Sequence, residues 1–135
     1  MKALFYILPF LAGVAITIQS GINYQLRVAI KSPMTAAFIS FLVGTIALGI
    51  ILFFYRSSLP ALSAYQNLSW YKWTGGLLGV FVVTVTLLSV QEIGAANMFV
   101  IIIAGQLITA VMMDHFAILG LRHDPINLQK TVGIL

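Results

Sequence analysis

Cysteine is absent from the chain, and charged residues are scarce. The lack of thiols excludes disulfides, iron–sulfur clusters and thiolate zinc sites, and gives no information on the redox compartment. Charged residues make up 7% of the 135 residues, whereas a soluble domain carries about 25% because its surface faces water. With 61% hydrophobic residues and a mean hydropathy of +1.06, the composition predicts an integral membrane protein.

Motifs of enzymes and nucleic-acid binders are also absent. The net charge of +4 is the balance of 7 Lys and Arg residues against 3 Asp and Glu residues. The basic residues are scattered singly over the termini and loops and form no basic patch. The sequence contains no phosphate-binding loop ending in Lys-Ser or Lys-Thr, no HExxH and no GxSxG. We therefore predict no enzymatic activity, no cofactor, no metal and no nucleic-acid partner.

Four apolar segments are long enough to cross a bilayer as helices, which takes about 20 residues each. They cover residues 3–22, 34–55, 73–90 and 94–119. No ten-residue alternating segments typical of barrel strands occur. Lys2 before the first segment suggests a signal peptide as an alternative. The segment is too long for one, however, and no cleavage site followed by a soluble domain is present. We predict an all-α bundle forming a single transmembrane domain over residues 1–135.

The end of the chain resembles the start of a fifth helix, from residue 131. Five residues cannot span a bilayer. The sequence is therefore interpreted as truncated, either as a natural variant or as a fragment.

Loop charges predict the orientation of the chain in its membrane. The basic residues on the side of the N-terminus are Lys2, Arg56, Lys72, Arg122 and Lys130, against Arg27 and Lys31 on the other side. Because positive residues concentrate in cytoplasmic loops, the N-terminus is predicted to be cytoplasmic, although dual insertion stays open. The aromatic residues of the loop over 56–72 and at Trp73 favour an interfacial belt over a soluble recognition loop.

Polar side chains inside the first helix are candidates for a substrate path. Gln19, Asn23 and Arg27 are spaced four residues apart and therefore share one stripe of the helix. Polar groups at membrane depth are costly and usually face a bundle interior or cavity. Interhelical hydrogen bonding, substrate lining and simple interfacial exposure all remain open for this stripe.

The fourth helix carries a second set of candidates. Asn97 and Gln106 are expected to line the same path, between the first, third and fourth helices. Asp114 is the carboxylate inside a predicted helix and is the candidate for proton coupling. A metal pair with His115 is disfavoured, because neighbours on a helix point about 100° apart. Glu92 is interpreted as a solvated turn residue.

Glycines indicate where helices pack closely. Gly75 and Gly79 have the GxxxG spacing that lets two backbones approach, and Gly105 is a further packing candidate. Unwinding at a binding site is the alternative for these glycines.

Several segments in order resemble the drug/metabolite transporter superfamily, specifically its YdcZ-type branch of small bacterial inner-membrane proteins. They are residues 19–23, Ser32-Pro33 with 36–45, 75–81, 94–96, 104–106, 114–116 and 119–120. A glycine is usual in this branch where the chain has Ala117. The branch normally closes with a fifth helix.

The resemblance implies half of a ten-helix, inverted-repeat pore that moves a small metabolite or drug-like molecule. One half must take the other from a second copy or a paralogue, so a homodimer or paralogous heterodimer is expected. A non-transporting subunit that stabilises a partner membrane protein is the alternative. Related small multidrug exporters use a glutamate in the first helix for proton coupling. This chain has no carboxylate there, which would move that role to Asp114.

Overall fold

Long helices dominate the computed structural model, which describes residues 4–55, 60–66, 68–127 and 133. The helices are α1 Leu4–Ile30, α2 Pro33–Tyr55, α3 Leu62–Gln66, α4 Gly75–Ile93 and α5 Ala95–His115. Short 3₁₀ turns cover Trp70–Trp73 and Ile118–Gly120, and none of these described ranges contains a strand. Four of the helices, α1, α2, α4 and α5, are long and apolar enough to cross a membrane. The predicted all-α membrane fold is confirmed.

The helix ends differ from the predicted ones where hydropathy alone set them. The first helix continues to Ile30 instead of residue 22, because residues 23–30 contain no proline or glycine that would break it. Lys31 then takes a left-handed φ of 53° and Pro33 starts α2, since proline suits the first turn of a helix. The predicted start of a fifth helix at residue 131 lies outside the described residues.

The ends of α4 and α5 correct two further expectations. Glu92 lies in the last turn of α4, not in a three-residue turn, and Gly94 alone separates α4 from α5. Gly94 has a φ of 75°, a conformation that glycine adopts without a steric penalty. The fourth spanning helix, α5, ends at His115 instead of residue 119, because Ala117 has a left-handed φ of 50°.

The chain divides into two compact units, Met1–Glu92 and Ile93–Leu135. The first unit has its core where α1 ends and α2 begins. Ala36, Ala37 and Leu87 are buried there, and Tyr24, Leu26 and Val83 pack against them. The two alanines place little side chain between the helices, which allows close approach.

The second unit contains α5 and a segment, residues 121–127, that folds back onto the end of this helix. The Asp124 backbone N–H donates to the Asp114 carbonyl oxygen at 3.0 Å. The Ile126 backbone N–H donates to Nδ1 of His115 at 3.3 Å. These bonds satisfy groups at a helix end, where the last carbonyls lack partners within the helix.

Candidate substrate groove

An open groove of about 240 Å³ lies among the three long helices of the first unit. Its lining residues are Gln19 from α1, Ser40, Phe41, Gly44, Thr45 and Leu48 from α2, and Val83 from α4. Most of this wall comes from α2, whose residues at intervals of three and four share one face. Gly44 contributes no side chain, so the groove stays open beside it.

Three polar side chains face this groove, and they differ in their hydrogen bonds. The Thr45 hydroxyl donates to the Phe41 carbonyl oxygen at 2.8 Å, which leaves its oxygen as an acceptor. The Gln19 amide and the Ser40 hydroxyl bond to no other group in the described part of the chain. Unsatisfied polar groups at membrane depth are costly. The groove therefore offers donors and acceptors to an occupant.

The ring of Phe41 connects the groove to α4. A Cβ atom placed on Gly79 would lie 3.2 Å from Cζ of Phe41, so only a glycine gives the ring its full space. Gly79 thus supports a close approach of α2 and α4 inside the first unit. Around Gly75 and Gly105, by contrast, a Cβ atom would meet nothing within 4 Å.

The polar stripe predicted on α1 separates into three environments. Gln19 lines the groove. Asn23 is buried, with 7% of its surface exposed, and is not among the lining residues. Arg27 is half-buried, and its Nη1 donates to the carbonyl oxygen of Leu87 in α4. Gln19 is therefore the member of this stripe that lines the groove, whereas Asn23 and Arg27 lie where helices pack.

The candidates on α5 belong to the second unit. Nδ2 of Asn97 donates to the Ile93 carbonyl oxygen one turn earlier, at 3.0 Å. Gln106 is exposed near the middle of α5, and Asp114 is half-buried near its end. Their roles in a substrate path and in proton coupling stay predictions. In the ranges that the structure covers, no group of three His, Asp or Glu residues is arranged to hold a metal.

Ser40 and Thr45 are the groove residues that sequence reasoning missed. The expected path involved the first, third and fourth spanning helices, whereas the groove is lined mainly by α2. A usable signal was present, because Ser40 and Gly44 are four residues apart and Thr45 follows directly. Small and hydroxyl-bearing residues on one helix face mark either close packing or a cavity.

Comparison with known proteins places this arrangement in a family. The family described as "Putative inner membrane exporter, YdcZ" matches residues 4–135. The chain is 27% identical over 105 residues to the inner membrane protein YdcZ of Escherichia coli (strain K12). The aligned residues make up 78% of this chain and 70% of the relative. No solved structure matches the chain. Exporters are transport proteins and not a class of enzymes. This multi-pass chain therefore belongs to the YdcZ family of inner-membrane proteins.

Proposed function

We propose that the protein is a half-size transporter subunit that moves a small metabolite or drug-like molecule across the inner membrane. The groove of the first unit is its substrate site. The observation that carries this proposal is the pair of polar groups, the Gln19 amide and the Ser40 hydroxyl, which face the groove without a partner among the described residues. The exporter description of the family supports the same class of function.

The chemistry of the groove distinguishes a transport site from packing between helices. Polar side chains that hold helices together are satisfied by neighbouring helices, as Arg27 of α1 is by the Leu87 carbonyl oxygen of α4. Gln19 and Ser40 instead face open volume. A site that binds weakly, releases its solute and refills with water needs polar groups that are accessible and not permanently bonded.

The groove is open, and three helices do not enclose it. Closing a path near the bilayer midplane usually takes two repeats that face each other. We therefore propose that a second copy, or a paralogue, completes the path. Native mass spectrometry of protein in nanodiscs should show a dimer. A monomer that carries out transport by itself would contradict this assembly.

Transport itself is testable in proteoliposomes. The reconstituted protein should release a small solute from loaded vesicles, and a bulky residue in the groove should stop the release. A subunit that only stabilises a partner protein would show no release in either form.

A further inference from the structure

We infer that the groove selects uncharged solutes and rejects organic cations. This inference rests on the proposed function, because it takes the groove of the first unit as the place where the solute binds. It adds the charge class of the solute, which the family description leaves open.

The distribution of acidic residues carries the inference. Residues 1–91 contain no Asp and no Glu, so Glu92 is the one acidic residue of the first unit. The basic residues of the same unit are Lys2, Arg27, Lys31, Arg56 and Lys72. The lining of the groove carries no charge of either sign.

A cation in this groove would lose its hydration without gaining a counter-ion from the first unit. A charged group at the centre of a bilayer costs about 2.5–3.5 kcal/mol even on the mildest scale. Glu92 lies nine residues along α4 from Val83, which is roughly 13 Å at the helical rise per residue. Arg27 lies eight residues along α1 from Gln19, roughly 12 Å away. Negative charge is therefore no closer to the groove than positive charge, so Glu92 gives a cation no net attraction.

An anion gains no better site. The guanidinium of Arg27 is directed at the Leu87 carbonyl oxygen in the packed end of the first unit, and Arg27 does not line the groove. An anionic solute would meet only neutral donors there, whereas strong anion sites use charged donors.

A neutral solute, in contrast, fits every part of the lining. The Gln19 amide both donates and accepts, the Ser40 hydroxyl does the same, and the Thr45 oxygen accepts. Phe41 and Leu48 cover an apolar portion of the solute. The groove thus suits a molecule with a hydroxyl or amide group beside an apolar part, within about 240 Å³.

The absence of cysteine allows a direct test by single-cysteine labelling. Ser40→Cys places a thiol in the groove at nearly constant volume. Val43→Cys is the matched control, because Val43 is on the same helix, 61% exposed and outside the lining. Thr45→Cys repeats the test at a second lining position if Ser40→Cys fails to insert.

Three methanethiosulfonates that differ in charge serve as probes: the neutral hydroxyethyl, the cationic trimethylammonioethyl and the anionic sulfonatoethyl reagent. In each reaction the protein thiolate attacks the reagent sulfur, a mixed disulfide forms and methanesulfinate leaves. Intact mass spectrometry of protein in proteoliposomes measures the rates, each divided by the rate with a free small-molecule thiol.

The inference predicts that the neutral reagent labels Ser40→Cys at least about tenfold faster than Val43→Cys, while both charged reagents stay slow at both positions. Fast labelling of Ser40→Cys by the cationic reagent would overturn the inference and leave the groove as a path. Fast labelling by the anionic reagent would overturn it in favour of anionic solutes. Equal neutral rates at Ser40→Cys and Val43→Cys would instead contradict the proposed function, because the groove would then be no more accessible than the lipid-facing surface.

Discussion

Arg27, near the end of α1, donates a hydrogen bond from Nη1 to the backbone carbonyl oxygen of Leu87 in α4. Leu87 is itself 1% exposed and belongs to the core of the first unit. The bond therefore joins the first and third spanning helices at the end of the unit where packing is tightest. It holds the two walls of the groove that α1 and α4 supply.

Replacing Arg27 by Met, which keeps the length of the side chain and removes its donors, should lower the free energy of unfolding by about 1 kcal/mol. This value lies between the average of about 0.6 kcal/mol for hydrogen bonds in membrane proteins and about 1.5–3 kcal/mol for hydrogen bonds to charged groups. Lys31→Met is the control, since Lys31 is exposed at the same end of α1. Reversible unfolding in mixed micelles measures both variants. Equal effects of the two substitutions would mean that the bond contributes nothing.

Gly79→Ala should disturb the groove, because the new Cβ atom would lie 3.2 Å from Cζ of Phe41. The Phe41 ring lines the groove and has to shift by a few tenths of an ångström to accommodate the methyl group. We expect slower labelling of Ser40→Cys by the neutral reagent in this background.

Gly75→Ala is the matched control, because open space surrounds a Cβ atom there. In a helix, alanine is favoured over glycine by up to about 1 kcal/mol. Because the added methyl group meets no neighbour, Gly75→Ala should leave the labelling rate unchanged. Identical labelling rates in the two backgrounds would show that the Phe41 ring does not define the groove.

Ala117→Gly should stabilise the end of α5. Ala117 has a φ of 50° and a ψ of 39°, and the left-handed conformation costs a residue with a side chain about 1–2 kcal/mol. Glycine avoids this cost but loses more backbone entropy on folding, so the net gain should be up to about 1 kcal/mol. Ala110→Gly, inside α5, should instead destabilise the helix by about 1 kcal/mol. Hydrogen exchange of the amides around residues 113–118 measures both effects, and slower exchange in Ala110→Gly than in Ala117→Gly would contradict the account.

A lipid environment makes the helices easy to predict from the sequence, but the residues at which they end are hard to predict. Every spanning segment must satisfy its own backbone hydrogen bonds, so four long apolar runs specify four helices. Hydropathy falls before α1 ends, however, and the helix continues to Ile30 because no proline or glycine interrupts residues 23–30. The left-handed Ala117 stops α5 without any change in hydropathy. Its conformation gives a physical reason for the glycine that is usual at this position in the branch that the sequence resembles.

The site was predicted only where a polar side chain stands out from an apolar run. Gln19 is such a residue, and the structure places it in the groove. Asn23 has the same signal but is buried in the packed end, and a stripe by itself does not separate these two environments. Ser40 and Thr45 give a more ambiguous signal than Gln19, because hydroxyl groups in spanning helices can bond to carbonyl oxygens of their own helix, as Thr45 does.

Solute release from proteoliposomes tests the central claim most directly. Vesicles reconstituted with the protein are loaded with a desalted small-molecule extract of bacterial cells, diluted into buffer, and their remaining contents are quantified by mass spectrometry. Wild-type protein is compared with Ser40→Trp, which fills the groove, and with Val43→Trp, which adds the same bulk outside the lining. We predict faster loss of at least one uncharged solute from wild-type and Val43→Trp vesicles than from Ser40→Trp vesicles. Equal loss of every solute from all three, matching protein-free vesicles, would contradict transport through this groove.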